Sequence, residues 1–136
     1  MNVVDANVFI RYLIGDDPRK QEKSKGLIDR IHAGQEVALT TSVILHEVCY
    51  ILSASTHYSL THQEIRDRLY PLLQMQGLHV VDKALCLEGL NIFATGEKID
   101  FSDALSVAHV RNGLADGIYS FDRKLDNVPG SNRIDV

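Results

Sequence analysis

Two hydrophobic periods trade places along this chain. Val3 and Val4 form a short apolar run that Asp5 cuts off. Val8, Phe9, Ile10, Tyr12 and Leu13 then continue as the apolar surface of a helix. Gly15-Asp16-Asp17-Pro18 is a turn; Asp17 can cap the next helix and Pro18 suits its first position. That helix is predicted from Arg19 to about Ala33, with Leu27, Ile28 and Ile31 on one face and Gly34 as its stop. Val37 to Thr41 predicts a second strand, and Ser42 is expected to cap a helix through about Ser55. Thr61-His62-Gln63-Glu64 matches a capping box and opens a helix to about Gln76. Gly77 to Asp82 predicts a third strand, and Lys83 to about Ala94 a helix. Asp100 or Ser102 can cap a helix that runs to Asn112 and stops at Gly113. Gly117 to Phe121 predicts a fourth strand, and Arg133 to Val136 a last short one.

Strands and helices alternate, and the connections are too long for hairpins. The pattern predicts an α/β fold: a central, mainly parallel sheet of four to five strands with helices on both faces. Leu52 to Gln76, with Tyr58, Leu60, Ile65, Leu69, Tyr70 and Met75, reads as a helical hairpin projecting from that sheet. No repeat, low-complexity tract or linker divides the chain, so residues 1–136 are read as one domain.

Composition narrows the function classes. A formal charge of −4 does not suggest a basic nucleic-acid face, although bound metal ions would reverse the field of an acidic site. No apolar run approaches the roughly 20 residues of a membrane span, and the start does not resemble a signal peptide. Cys49 and Cys86 lack partner spacing and read as small buried residues in a reducing cytoplasm. The six histidines form no zinc-type pattern.

Acids change this picture. Asp5 follows the first strand and Asp122 the fourth, while Asp103 falls in the first turn of its helix. Glu47 lies between Val43 and Ile51 on a helical wheel of about 100° per residue. It is either partly buried and in need of a cation, a metal or a proton, or at the edge of the apolar stripe, where it reaches water or meets an arginine. Capping explains Asp5, or one of Asp100 and Asp103, taken singly. Right-handed crossovers, however, bring all strand-to-helix junctions of a parallel sheet to one end, so these positions can share a pocket. Carboxylates so grouped need compensation, which magnesium or manganese supplies as hard, oxygen-preferring cations. Two such ions about 4 Å apart can activate water and stabilise the leaving oxygen of a phosphodiester.

The chain resembles PIN-domain proteins, and among them VapC-type toxin ribonucleases of toxin–antitoxin pairs. The resemblance rests on Val4-Asp5-Ala6-Asn7-Val8, Asp16-Asp17-Pro18, Ser42 with Glu47, Asp100-Phe101-Ser102-Asp103-Ala104-Leu105, and Ser120-Phe121-Asp122-Arg123-Lys124-Leu125. It implies a PIN-like three-layer α/β/α fold. It also implies an Mg2+ (or Mn2+) site on Asp5, Glu47, Asp103 and Asp122, with Asp100 in second rank. Asn7, Ser42 and Ser120 would orient carboxylates or waters. RNA would be cleaved to leave a 3′-hydroxyl by metal-activated water. A cognate antitoxin would block the acidic pocket, and a homodimer would form through the hairpin at about 52–76. Arg11, Lys20, Lys23, Arg123 and Lys124 are candidates to hold substrate phosphates, against the plain alternative of ordinary surface charge.

Other classes answer the pattern less well. A haloacid-dehalogenase-type phosphatase needs a second Asp two residues after the first, where this chain has Asn7. A receiver-like signalling or interaction module would want an acid beside Asp5, a phospho-acceptor Asp after the middle strand and a late Lys. Thr40-Thr41 and Phe121-Asp122 do not offer that set. A non-catalytic domain whose acids only cap helices predicts that Asp5→Asn or Asp122→Asn changes stability slightly and nothing else.

Overall fold

The computed structural model describes residues 1–96 and 98–136. β1 (Asn2–Val3), β2 (Ala38–Thr40) and β3 (Leu78–Val80) form a parallel sheet in that order. β4 (Ile118–Tyr119) and β5 (Arg133–Ile134) form a separate parallel pair. The helices are α1 (Ala6–Leu13), α2 (Pro18–His32), α3 (Ser42–Ser53), α4 (His62–Leu73), α5 (Lys83–Ala94) and α6 (Phe101–Arg111), with a 3-10 helix at Arg123–Asn127.

The α/β alternation and parallel pairing agree with the sequence reading. The single sheet of four to five strands does not: the main sheet has three strands, and the other two pair only with each other. Hydrophobic periodicity identifies a strand but not its neighbour. The β4–β5 pair is fixed by tertiary contacts instead. The Arg133 side chain, only 6% exposed, donates from Nε to Asp126 Oδ1 at 2.6 Å and from Nη1 to the Ser120 carbonyl at 2.8 Å. Gly117 is needed where these strands meet, because a Cβ there would lie 2.5 Å from the Asn132 carbonyl. Gly77 plays the same part before β3, where a Cβ would collide with the Ile31 carbonyl.

Local chemistry sets most helix starts. The Asp17 carboxylate accepts from the Lys20 N–H at 3.1 Å, with Pro18 in the first turn. Thr61 and Glu64 form the predicted capping box. At α3 the cap is Thr41, one residue before the expected Ser42. β2 ends at Thr40, so Thr41 is the first extended residue free to turn its hydroxyl onto the Ile44 N–H.

One apolar core joins sheet and helices, with Phe9, Leu45, Leu52, Leu78, Leu90 and Phe101 almost fully enclosed. α3 packs on α1, α4 and α6, and α5 on α4 and α6. The helical hairpin therefore does not project. Ile65, Leu69 and Leu73 of α4 are completely buried within the same chain, because that helix packs on α3, α5 and β3. Met75 is likewise core. Cys49 and Cys86 are free and buried, and burial pushes the Cys86 thiol up to about 11.

Candidate active site

The start of α6 is built by two aspartates. Asp100 is extended, at φ −85° and ψ 177°, and is the N-cap. Its Oδ1 accepts from the Asp103 N–H at 2.8 Å and from the Ser102 hydroxyl at 2.9 Å. Asp103 answers with Oδ2, which accepts from the Asp100 N–H at 3.4 Å. Partial burial works against ionisation of Asp100, but the Asp103 N–H, the Ser102 hydroxyl and nearby His46 outweigh it and hold its carboxyl below the usual range. Asp103 goes the other way. Burial first, then the charges of Asp100 and Asp122, push its carboxyl above the usual range.

Asp122 reaches this site from the end of β4. Its N–H donates to Ser120 Oγ at 2.9 Å, and its own Oδ1 accepts from the Lys124 N–H at 3.0 Å, starting the 3-10 helix. Ser120 is held in turn by Arg133 through its carbonyl. Asp100, Asp103 and Asp122 thus share one cavity of about 300 Å³. Lys98, Lys124 and the α3 residues His46, Tyr50 and Ser53 also line it.

Of the other predicted residues, Lys124 lines this cavity and the rest do not. Asp5 is exposed at the β1–α1 junction and is the N-cap of α1, yet its carboxylate makes no capping hydrogen bond. Glu47 is exposed, so of its two readings the structure has the one in water. Val43 and Tyr50, its neighbours on that flank of α3, are 76% and 64% exposed. Neither Asp5 nor Glu47 lines the cavity. Ser42, half-buried, borders a shallow groove with His46 and Ser102. Asn7 lines a second depression, of about 290 Å³, with Arg11, Lys20 and Lys23, so three of the five candidate phosphate contacts lie together. Arg11 is paired there with Asp16 at 3.0 Å. Lys124 lines the acidic cavity, while Arg123 is exposed beside it in sequence.

Among the described residues, no three Asp, Glu, His or Cys side chains form a ready ligand group. The donors nevertheless suit a hard divalent cation in kind: they are carboxylate oxygens, and the excess negative charge at Asp103 is what such an ion neutralises. Among the described residues no ion pair reaches Asp100, Asp103 or Asp122.

Sequence reasoning missed the α3 contribution. His46, Tyr50 and Ser53 stand at i, i+4 and i+7, a polar stripe on a largely apolar helix. That spacing was the available signal. Arg133, which steadies the segment before Asp122, gave none.

The fold is thus a parallel α/β scaffold with an acidic cleft at a helix start. The PIN domain family matches residues 3–131, and the chain belongs to that family, whose members are generally metal-dependent nucleases. No curated protein and no solved structure matches the chain. No helix among the described residues is long and apolar enough to cross a membrane.

Proposed function

We propose that this chain is a magnesium- or manganese-dependent endoribonuclease and the toxin of a toxin–antitoxin pair. The observation that carries the reading is the meeting of Asp100, Asp103 and Asp122 in one cavity, with Asp103 raised by burial and then by its neighbours' charge. Membership of the PIN family supports nuclease chemistry.

Asp103 and Asp122 would hold the metal, with Asp100 in support; the family resemblance adds Asp5 and Glu47 to that set, although neither lines this cavity. A bound divalent ion supplies a water of lowered pKa and neutralises charge on the phosphate. The chain's own residues do the rest. Asp103 Oδ2 accepts from the Asp100 N–H, which fixes the direction of that carboxylate. Ser120 Oγ fixes the Asp122 backbone, and so the register of that carboxylate. Lys98 and Lys124 draw the RNA backbone to the cavity. Hydrolysis then leaves a 3′-hydroxyl.

An antitoxin segment would inhibit by covering this cavity. The homodimer would use the exposed flank of residues 52–76, since the apolar side of α4 is taken up by the core.

The test is cleavage of RNA by the purified, partner-free chain in Mg2+ or Mn2+, with and without EDTA, and mapping of the product ends. Products ending in 3′-hydroxyl that EDTA abolishes support the reading. No cleavage, together with no binding of either ion, overturns it.

A further inference from the structure

The α3 side of the acidic cavity is not used by the hydrolysis. Its lining combines aromatic and apolar groups with the polar His46 and Ser53. The His62 ring stacks on Phe93 with centroids 3.8 Å apart and planes 11° from parallel, and lies within hydrogen-bond distance of the Phe93 carbonyl, 3.0 Å from Nδ1. Cys49 is almost fully buried beside them. Tyr50 projects into solvent at the edge, 64% exposed. The opposite side carries Asp100, Asp103 and Asp122.

We infer that this cavity takes one unstacked nucleobase of a single-stranded RNA, beside the phosphodiester that the acids attack. The inference rests on the nuclease reading of those acids. At about 300 Å³ the cavity is at the small end of ligand pockets, of a size for one heterocycle but not for a duplex. A base offers two π faces and a polar edge. Tyr50 meets the first need, since stacking on an aromatic ring accepts any base.

His46 and Ser53 meet the second. His46 Nδ1 is buried without a hydrogen-bond partner, an exception that calls for a reason. The ring lines the cavity, so its imidazole is a polar group within reach of a base edge there. The single Ser53 hydroxyl proton points to the Cys49 carbonyl at 2.8 Å, with the Tyr50 carbonyl at 3.3 Å sharing it, so the oxygen's lone pairs remain as acceptors. Lys98 and Lys124 border the same cavity and suit the phosphates on either side of the base. A base held in a helix cannot enter, so the substrate is an unpaired segment.

The experiment is fluorescence anisotropy of a labelled single-stranded oligoribonucleotide in EDTA, where binding is read without cleavage. Wild type is compared with Tyr50→Ala and Ser53→Leu, each checked for fold by circular dichroism. A second oligonucleotide of equal length carries abasic sugars, and cleavage in Mg2+ is measured in parallel. The expected result is weakening by Tyr50→Ala of roughly 5- to 150-fold, the value of one base–aromatic stack, and no effect of that change on the abasic strand. Folded variants that bind the base-bearing strand as wild type does, while wild type still cleaves RNA, overturn the pocket and leave the nuclease reading standing. Base-dependent binding without cleavage retains the pocket and overturns the nuclease reading. Absence of both binding and cleavage overturns both.

Discussion

Asp100 and Asp103 each accept a hydrogen bond from the other's backbone N–H, so two acids that repel are locked together at the first turn of α6. Asp103 bears the cost. An acid whose folded pKa is raised binds its proton more tightly when folded. Its penalty appears as pH rises above the unfolded value of about 3.9 and is complete above the folded one. Asp103→Asn removes that penalty and keeps an oxygen for the Asp100 N–H. Its thermal midpoint at pH 7 should equal or exceed that of wild type, and the advantage should vanish below about pH 4. A marked fall in midpoint at pH 7 would show Asp103 to be structural.

Arg133 governs Asp122 indirectly. It joins Asp126, Asp135 and the Ser120 carbonyl, and Ser120 Oγ takes the Asp122 N–H. The Arg133 hydrogen bond, then its charge, hold the Asp126 carboxyl below the usual range. The stability from that pairing is present above about pH 3.9 and lost as pH falls through the lower folded value. Arg133→Met should therefore melt earlier than wild type at pH 7, with a difference that shrinks below about pH 4. Thermal melts across pH check this.

Leu69 tests whether α4 belongs to the core or to a partner surface. It is completely buried within one chain. Leu69→Ala should destabilise by about 2–5 kcal/mol in urea titrations. The loss should be the same across protein concentrations, since the contacts are intramolecular.

The groove of Asn7, Arg11, Lys20 and Lys23 should act on RNA through charge alone. Lys20→Gln with Lys23→Gln should weaken binding to all sequences alike. If both lysines contact single-stranded phosphates, the log–log salt slope should fall by about 1.4.

What the sequence disclosed follows from how local each feature is. Asp17, the Thr61–Glu64 box and Asp100 act within one turn of chain, so residue type and spacing reveal them. The acids at Asp103 and Asp122 could be picked out because each stands at a strand or helix end. Strand order could not be read, since pairing joins distant segments; β4 lies with β5 through Arg133 rather than beside β1. Glu47 illustrates another limit. A helical wheel gives an apolar arc, but which part of it is covered depends on the elements that pack there, and the flank of Val43 and Tyr50 is bare. His46 belongs to no zinc-type pattern, and its only signal is the helical spacing it shares with Tyr50 and Ser53.

In the proposed function, the acids at the start of α6 hydrolyse RNA. The most direct measurement is the initial rate of RNA cleavage in Mg2+ for wild type, Asp103→Asn and the surface control Glu36→Gln, with folding confirmed for each. Loss of several kcal/mol of transition-state stabilisation corresponds to at least about a hundredfold. Asp103→Asn should fall by that much or more while Glu36→Gln retains the wild-type rate. Equal rates for all three would contradict the account.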